Sequence, residues 1–149
     1  MAASAWAVFH TAKHRMGIGG FSLSGGKFRM SLHRTAVSAN LSGNAVSTFG
    51  SVSFMASGGG VNVEGQTLDT VTWVSSAAGV QRFDCANEVY SPTSSALTSV
   101  RYAVIRLSAA AVTSGFPLCY AALSTTAFDV GAGSTLTIQI ATTGIFTLT

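Results

Sequence analysis

Apolar and polar positions alternate with a period of two along much of this chain, which is the signature of half-buried strands. From Lys27 to His33, Phe28, Met30 and Leu32 fall in one phase. Lys27, Arg29, Ser31 and His33 fall in the other, so that face is predicted to look outward and to carry basic character. Near the C-terminus Leu136, Ile138 and Ile140 alternate with Thr135, Thr137 and Gln139. The turn Ala141-Thr142-Thr143-Gly144 then leads into Ile145 to Leu148, and the two runs are expected to close a C-terminal hairpin. Further strands are expected from Val46 to Phe54, where Phe49 breaks the phase and suggests contact beyond the core, and from Leu68 to Val74. Leu118 to Leu123 is continuously apolar and reads as a buried strand.

The stretch from residue 79 to 107 organises the rest. Phe83 and Cys85 share one face of a short strand while Arg82 and Asp84 share the other. Pro92, within Ser91-Pro92-Thr93-Ser94-Ser95, lacks the N–H that a continuing ladder needs. The following run, Val100 to Leu107, has Ala103, Ile105 and Leu107 on one face and Tyr102 and Val104 on the other. A strand apolar on both faces is covered on both sides, which predicts a central position. At the N-terminus, residues 3 to 15 are predicted as a short helix, with Trp6, Phe9 and Lys13 at helical spacing and Gly17, Gly19 and Gly20 ending it.

Seven or eight short strands separated by Gly, Ser, Thr and Asn turns predict an all-β fold, a single antiparallel β-sandwich. At 149 residues the chain suits one domain. The expected organisation is residues 1–26 as a short helical or extended arm with Gly-rich turns and residues 27–149 as the sandwich. No internal repeat divides it.

Charge changes this picture. Only 9% of residues are charged, against about 25% in soluble domains generally. A surface with so little charge is poorly protected against association. It implies burial in an assembly; a neutral, Ser/Thr-rich β-domain standing alone is the other reading. No apolar run approaches the roughly 20 residues of a membrane-spanning helix. The net charge of +3 is unevenly placed. Residues 1–34 hold Lys13, Arg15, Lys27, Arg29, Arg34 and all three histidines, with no acidic residue; the remainder has three arginines against five acids, a net of −2. A basic segment on a neutral body can meet nucleic acid or an acidic protein surface. Five cations without a dense cluster favour a protein partner over nucleic acid, with a solvated face as the plain alternative.

Catalytic patterns are sought and not met. Gly25-Gly26-Lys27 is followed by Phe28 where a phosphate loop needs Ser or Thr, and Gly17-Ile18-Gly19 meets Ser22 at the third glycine position. His10 and His14 stand at i, i+4, a spacing that can hold a metal, but no acidic residue is near to complete a site. Asp84 and Glu88 are the nearest carboxylate pair and lack further support. No enzyme, cofactor or metal is expected. Cys85 and Cys119 sit in predicted strands and read as buried free thiols. MAASAWAVFHTAKHR has its charges after its apolar residues, so it is a poor signal peptide, and the Asn40-Leu41-Ser42 sequon is expected to carry no glycan.

Several segments in order carry a likeness: Gly65-Gln66-Thr67-Leu68 into Val71-Thr72-Trp73, then Arg82 to Val89, then Leu97 to Ile105 with its Arg101-Tyr102-Ala103-Val104-Ile105, and the tail from Ser134 to Thr149. In these the chain resembles a family of small β-sandwich structural proteins of tailed bacteriophages, over roughly residues 62–149 with echoes around 21–33. It departs from the family pattern at Ser57 to Gly60, at Tyr90 where a tryptophan is usual, and at Ser124 where an acid is common. The resemblance implies a virion component made in the host bacterial cytoplasm, a head decoration or cement protein or else a neck or tail part. It implies oligomeric association and partners among capsid, connector or tail proteins, and no catalytic residues. Candidate interface residues are the cations Lys13, Arg15, Lys27, Arg29 and Arg34 and the aromatic anchors Trp6, Phe9 and Phe49, whose alternative is ordinary core. A rival reading is a carbohydrate- or receptor-binding module using Trp73 or Tyr90.

Overall fold

A computed structural model of the chain describes residues 4–20, 22–24, 27–34, 59–61, 65–76, 79–108 and 116–148. Among these the elements run β1 (Ala7–Val8), α1 (His10–Gly17), β2 (Phe28–Arg34), β3 (Gln66–Thr67), β4 (Thr72–Ser76), β5 (Val80–Asp84), β6 (Glu88–Tyr90), β7 (Leu97–Leu107), β8 (Phe116–Ala122), β9 (Phe128–Val130), β10 (Leu136–Ile138) and β11 (Phe146–Leu148). The fold is all-β and antiparallel. The larger sheet has the order β1-β8-β7-β2-β3, with β9 added along the first part of β7; a second sheet is β11-β5-β4 and a third is β10-β6.

The long strand β7 lies centrally, as its two apolar faces require. Ala103, Val104 and Ile105 are all buried. One face of the larger sheet, with Phe28, Met30, Leu32 and Ile105, packs on the smaller sheets. Phe28 meets Phe83 edge-on at 5.1 Å between ring centroids, and Phe83 stacks on Phe146 at 5.2 Å. Rings at these separations and tilts add to the gain from area burial, so the three phenylalanines form the joint between the layers. On the outer face of β5, Arg82 and Asp84 pair at 3.6 Å, as their shared phase predicts.

Two irregularities in β7 have visible causes. Pro117 stands opposite Arg106, where the β7–β8 register shifts between Ile105 and Arg106; a proline offers no N–H to the ladder, and a bulge absorbs the gap. At the other end Ser99 has φ of 61° at the shift between Leu97 and Val100. Its N–H donates to Asp129 Oδ1 at 2.7 Å, so the side chain replaces the ladder bond that the bulge removes. Gly65, with φ of 79°, lies where a Cβ would overlap the Met30 carbonyl. Only glycine combines that backbone conformation with so close an approach.

Several expectations are corrected. The helix predicted over residues 3–15 is a two-residue strand followed by a helix from His10. Ala7 and Val8 pair with Tyr120 and Cys119, and Ser4 N–H donates to the Ala122 carbonyl at 2.8 Å, so the edge of β8 captures this backbone before the helix begins. The strand predicted over Leu68–Val74 breaks at Asp69-Thr70: the Asp69 carbonyl turns to accept the Ala86 N–H, and Thr70 has φ of 49°. The C-terminal runs do not form a hairpin. β10 pairs with β6 and β11 pairs with β5. Between them Ile140 N–H donates to Asn87 Oδ1 and Ile145 N–H to the Phe83 carbonyl, which carries the chain from one sheet to the other. The outward phase of β2 is also covered: Ser31 and His33 are 1% and 0% exposed. They tolerate burial because Ser31 Oγ and His33 Nε2 bond at 2.9 Å, and satisfied polar groups are cheap to bury. The strand expected at Val46–Phe54 lies outside the described residues.

Candidate docking surface

An isolated helix of eight residues is marginal in water, so α1 depends on what it packs against. Phe9, just before it, is fully buried with its ring 5.0 Å from that of Tyr120, and Ala12 is fully buried one turn on. The Phe9 N–H donates to the Leu118 carbonyl, and the Phe9 carbonyl accepts the Lys13 N–H. The chain therefore passes from the edge ladder into the helix without a break. The helix ends where Gly20 N–H donates to the Arg15 carbonyl at 2.8 Å and Gly19 turns with φ of 70°. His14 and Arg15 in the last turn suit the negative end of the helix dipole.

His10 and His14 are exposed on the face of α1 turned away from the sheet, and Lys13 and Arg15 are exposed on its two flanks. The Arg15 guanidinium carbon lies 4.4 Å from the centroid of the Phe116 ring, a cation–π contact. Beside it is an open cleft of about 330 Å³ lined by His10, Thr11, His14, Arg15 and Phe116. Among the described residues the acidic ones lie elsewhere: Asp69 before β4, Asp84 on β5, Glu88 on β6 and Asp129 on β9.

The sequence candidates divide as follows. Lys13 and Arg15 are both exposed on α1, on opposite flanks, and Lys27, exposed, precedes β2 where Phe28 pairs with Leu107, whose partner on its other side is Phe116. These three cations share one end of the larger sheet. Arg34 stands at the opposite end of β2, facing Val100. Arg29 is half-buried across from Arg106 and borders a separate cleft of about 420 Å³ with Thr67, Val89 and Ser91. Phe9 leaves the set of anchors: buried at the base of α1, it presents no surface to a partner. Trp6 is half-buried and lines an uncharged cleft of about 360 Å³ with Leu123, Ile138, Gln139, Thr143 and Ile145. Phe49 lies outside the described residues. Sequence reasoning missed Phe116, whose ring supports Arg15; the Phe-Pro start of its strand offered no signal of that role.

Groups with chemical potential are mostly enclosed. Burial, then the charges of Glu88 and Asp84, push the Cys85 thiol up to about 12, and burial pushes Cys119 well above its ordinary value. Both thiols are free; neither yields appreciable thiolate at neutral pH, and the thiolate is the nucleophile. The Ser31–His33 pair lies beneath the surface. Among the described residues no three His, Cys, Asp or Glu side chains converge as a metal site would require, and no helix is long and apolar enough to cross a membrane. Of the aromatics considered for a sugar platform, Tyr90 is wholly buried and Trp73 is half-buried beside Phe146, 6.2 Å away. No protein-family model matches the chain, and no curated protein or solved structure is significantly similar to it.

Proposed function

We propose that this chain is a non-enzymatic structural subunit of a bacteriophage particle, most specifically a head decoration or cement protein present in many copies. The observation that carries the reading is the division of its exterior: a charge-poor β-sandwich whose exposed lysine and arginine side chains, among the described residues, are Lys13 and Arg15 on one short helix and Lys27 at the same end of the larger sheet. Subunits that bury surface against neighbours need little charge to stay dispersed, and a confined basic patch sets orientation on a partner. The likeness of residues 62–149 to phage β-sandwich proteins supports the same reading. Such a subunit stabilises its lattice by mass action, since it binds the assembled, folded state in preference to the dissociated one. A neck or tail subunit is the second form of this proposal. The burial of Tyr90 weighs against the carbohydrate-binding alternative, because its ring offers no platform.

The test is the copy number of this chain relative to the major shell protein in purified particles, by quantitative mass spectrometry. A ratio of the same order as the shell subunit is expected. A ratio of a few per cent or less would move the chain to the neck or tail, and absence from particles would overturn the structural reading.

A further inference from the structure

The inner side of α1 is spent on the fold, through Phe9 and Ala12, while its outer side does nothing for it. Among the described residues no hydrogen bond or ion pair engages the side chains of His10, Lys13, His14 or Arg15, and the Arg15 guanidinium makes its cation–π contact with the Phe116 ring. β8, on which α1 packs, is Phe-Pro-Leu-Cys-Tyr-Ala-Ala, without a charged residue. None of the described acids stands on α1 or β8. Asp129 bonds the N–H of Ser99, whereas Phe116 pairs with Leu107; eight residues of β7 separate these levels, about 26 Å at the rise of a strand. Of the residues outside the described set, Glu64 alone is acidic.

From this charge distribution we infer that the outer face of α1, with the cleft at Phe116, docks an acidic protein segment. A carboxylate of the partner enters the cleft beside Arg15, His10 and His14, and Lys13, on the other flank of the helix, adds to the positive field there. Among the described residues no hydrogen bond or ion pair engages the Arg15 guanidinium, so its N–H donors remain for a carboxylate, which they fit two at a time. A cleft of about 330 Å³ has room for a side chain. Nucleic acid fits less well. Lys13 and Arg15 would release only about two phosphate counterions, and so small an electrostatic contact is weak at physiological salt. The proposal rests on the structural-subunit reading only for the partner being a neighbour in a particle; the partner's chemistry stands on the charge distribution.

The test uses the full chain and immobilised poly-L-glutamate at 50 and 200 mM NaCl, with a 20-base-pair DNA duplex in parallel. Lys13→Gln/Arg15→Gln is compared with Gln139→Glu/Thr125→Glu, which changes net charge equally at exposed positions off the helix; thermal melting confirms that both variants fold. Binding to poly-L-glutamate is expected at 50 mM NaCl, about tenfold weaker in the helix variant and within about twofold of wild type in the control. No binding at 50 mM NaCl, equal loss in the two variants, or tighter binding to the duplex would each overturn the docking surface. The two proposals fail separately. A shell-like copy number without poly-L-glutamate binding removes only the docking surface, and the expected binding by a chain absent from particles removes only the structural-subunit reading.

Discussion

The phenolic hydroxyl of Tyr90 donates to the main-chain carbonyl of Met30 across 2.6 Å, sixty residues away in sequence. Both residues are fully buried, so the bond ties β6 to the middle of β2 inside the sandwich. Burial pushes the Tyr90 hydroxyl above its ordinary pKa, which keeps it protonated and able to donate.

Tyr90→Phe keeps the ring and removes the donor. A buried hydrogen bond contributes about 1 kcal/mol net, and leaving an acceptor unpaired raises the cost toward about 2 kcal/mol. The variant is expected to unfold at a lower urea concentration with an unchanged m-value. An unaltered midpoint would mean that the bond adds nothing to stability.

Phe9 makes the N-terminal segment part of the body. Phe9→Ala is expected to lower stability by about 3–5 kcal/mol, the range for a buried aromatic truncated to alanine, and deleting residues 1–20 to lower it further. A freely detached arm would leave the melting temperature of the remainder unchanged, so calorimetry of the truncated chain separates the two arrangements.

Glu88 supplies the pH dependence. Its carboxyl is held above the ordinary 4.5, first by burial, with the Asp69 backbone N–H opposing and the Asp69 carboxylate adding to the rise. A raised folded-state pKa favours the protonated form in the folded protein. The contribution is therefore fully present below about 4.5, the unfolded value, and is lost as the folded carboxyl ionises at higher pH. Glu88→Gln keeps an acceptor for the Asp69 N–H and removes the charge. It is expected to melt higher than wild type at pH 7.5, with the difference shrinking toward pH 4. A difference constant across that range would show that Glu88 ionises as freely folded as unfolded.

Much of the fold was legible in the sequence. Phe83 against Arg82 and Asp84, and the two apolar faces of Val100 to Leu107, placed their strands correctly because side-chain direction in a strand follows from position alone. Pro92 marked a real interruption between β6 and β7 for the same local reason. The candidate surface was legible in part: the acid-free N-terminal segment announced a basic region, and Lys13 and Arg15 are each exposed on α1. The separation of Arg34 from them, and the ring of Phe116 beneath Arg15, were not legible, because both depend on how β2, β7 and β8 are laid side by side.

The sequence by itself determined the all-β class, the central place of β7 and the turns that punctuate the chain, since these rest on alternation and on the backbone limits of glycine and proline. Only the tertiary structure decided that β10 pairs with β6 and β11 with β5, that Ser31 and His33 lie beneath a covered face, and that Phe9 and Ala12 are core while His10, Lys13, His14 and Arg15 stay exposed. The physical reason is common to all three. A period of two says that a residue has an inside and an outside, but what covers each side is supplied by chain distant in sequence, and local pattern carries no record of it.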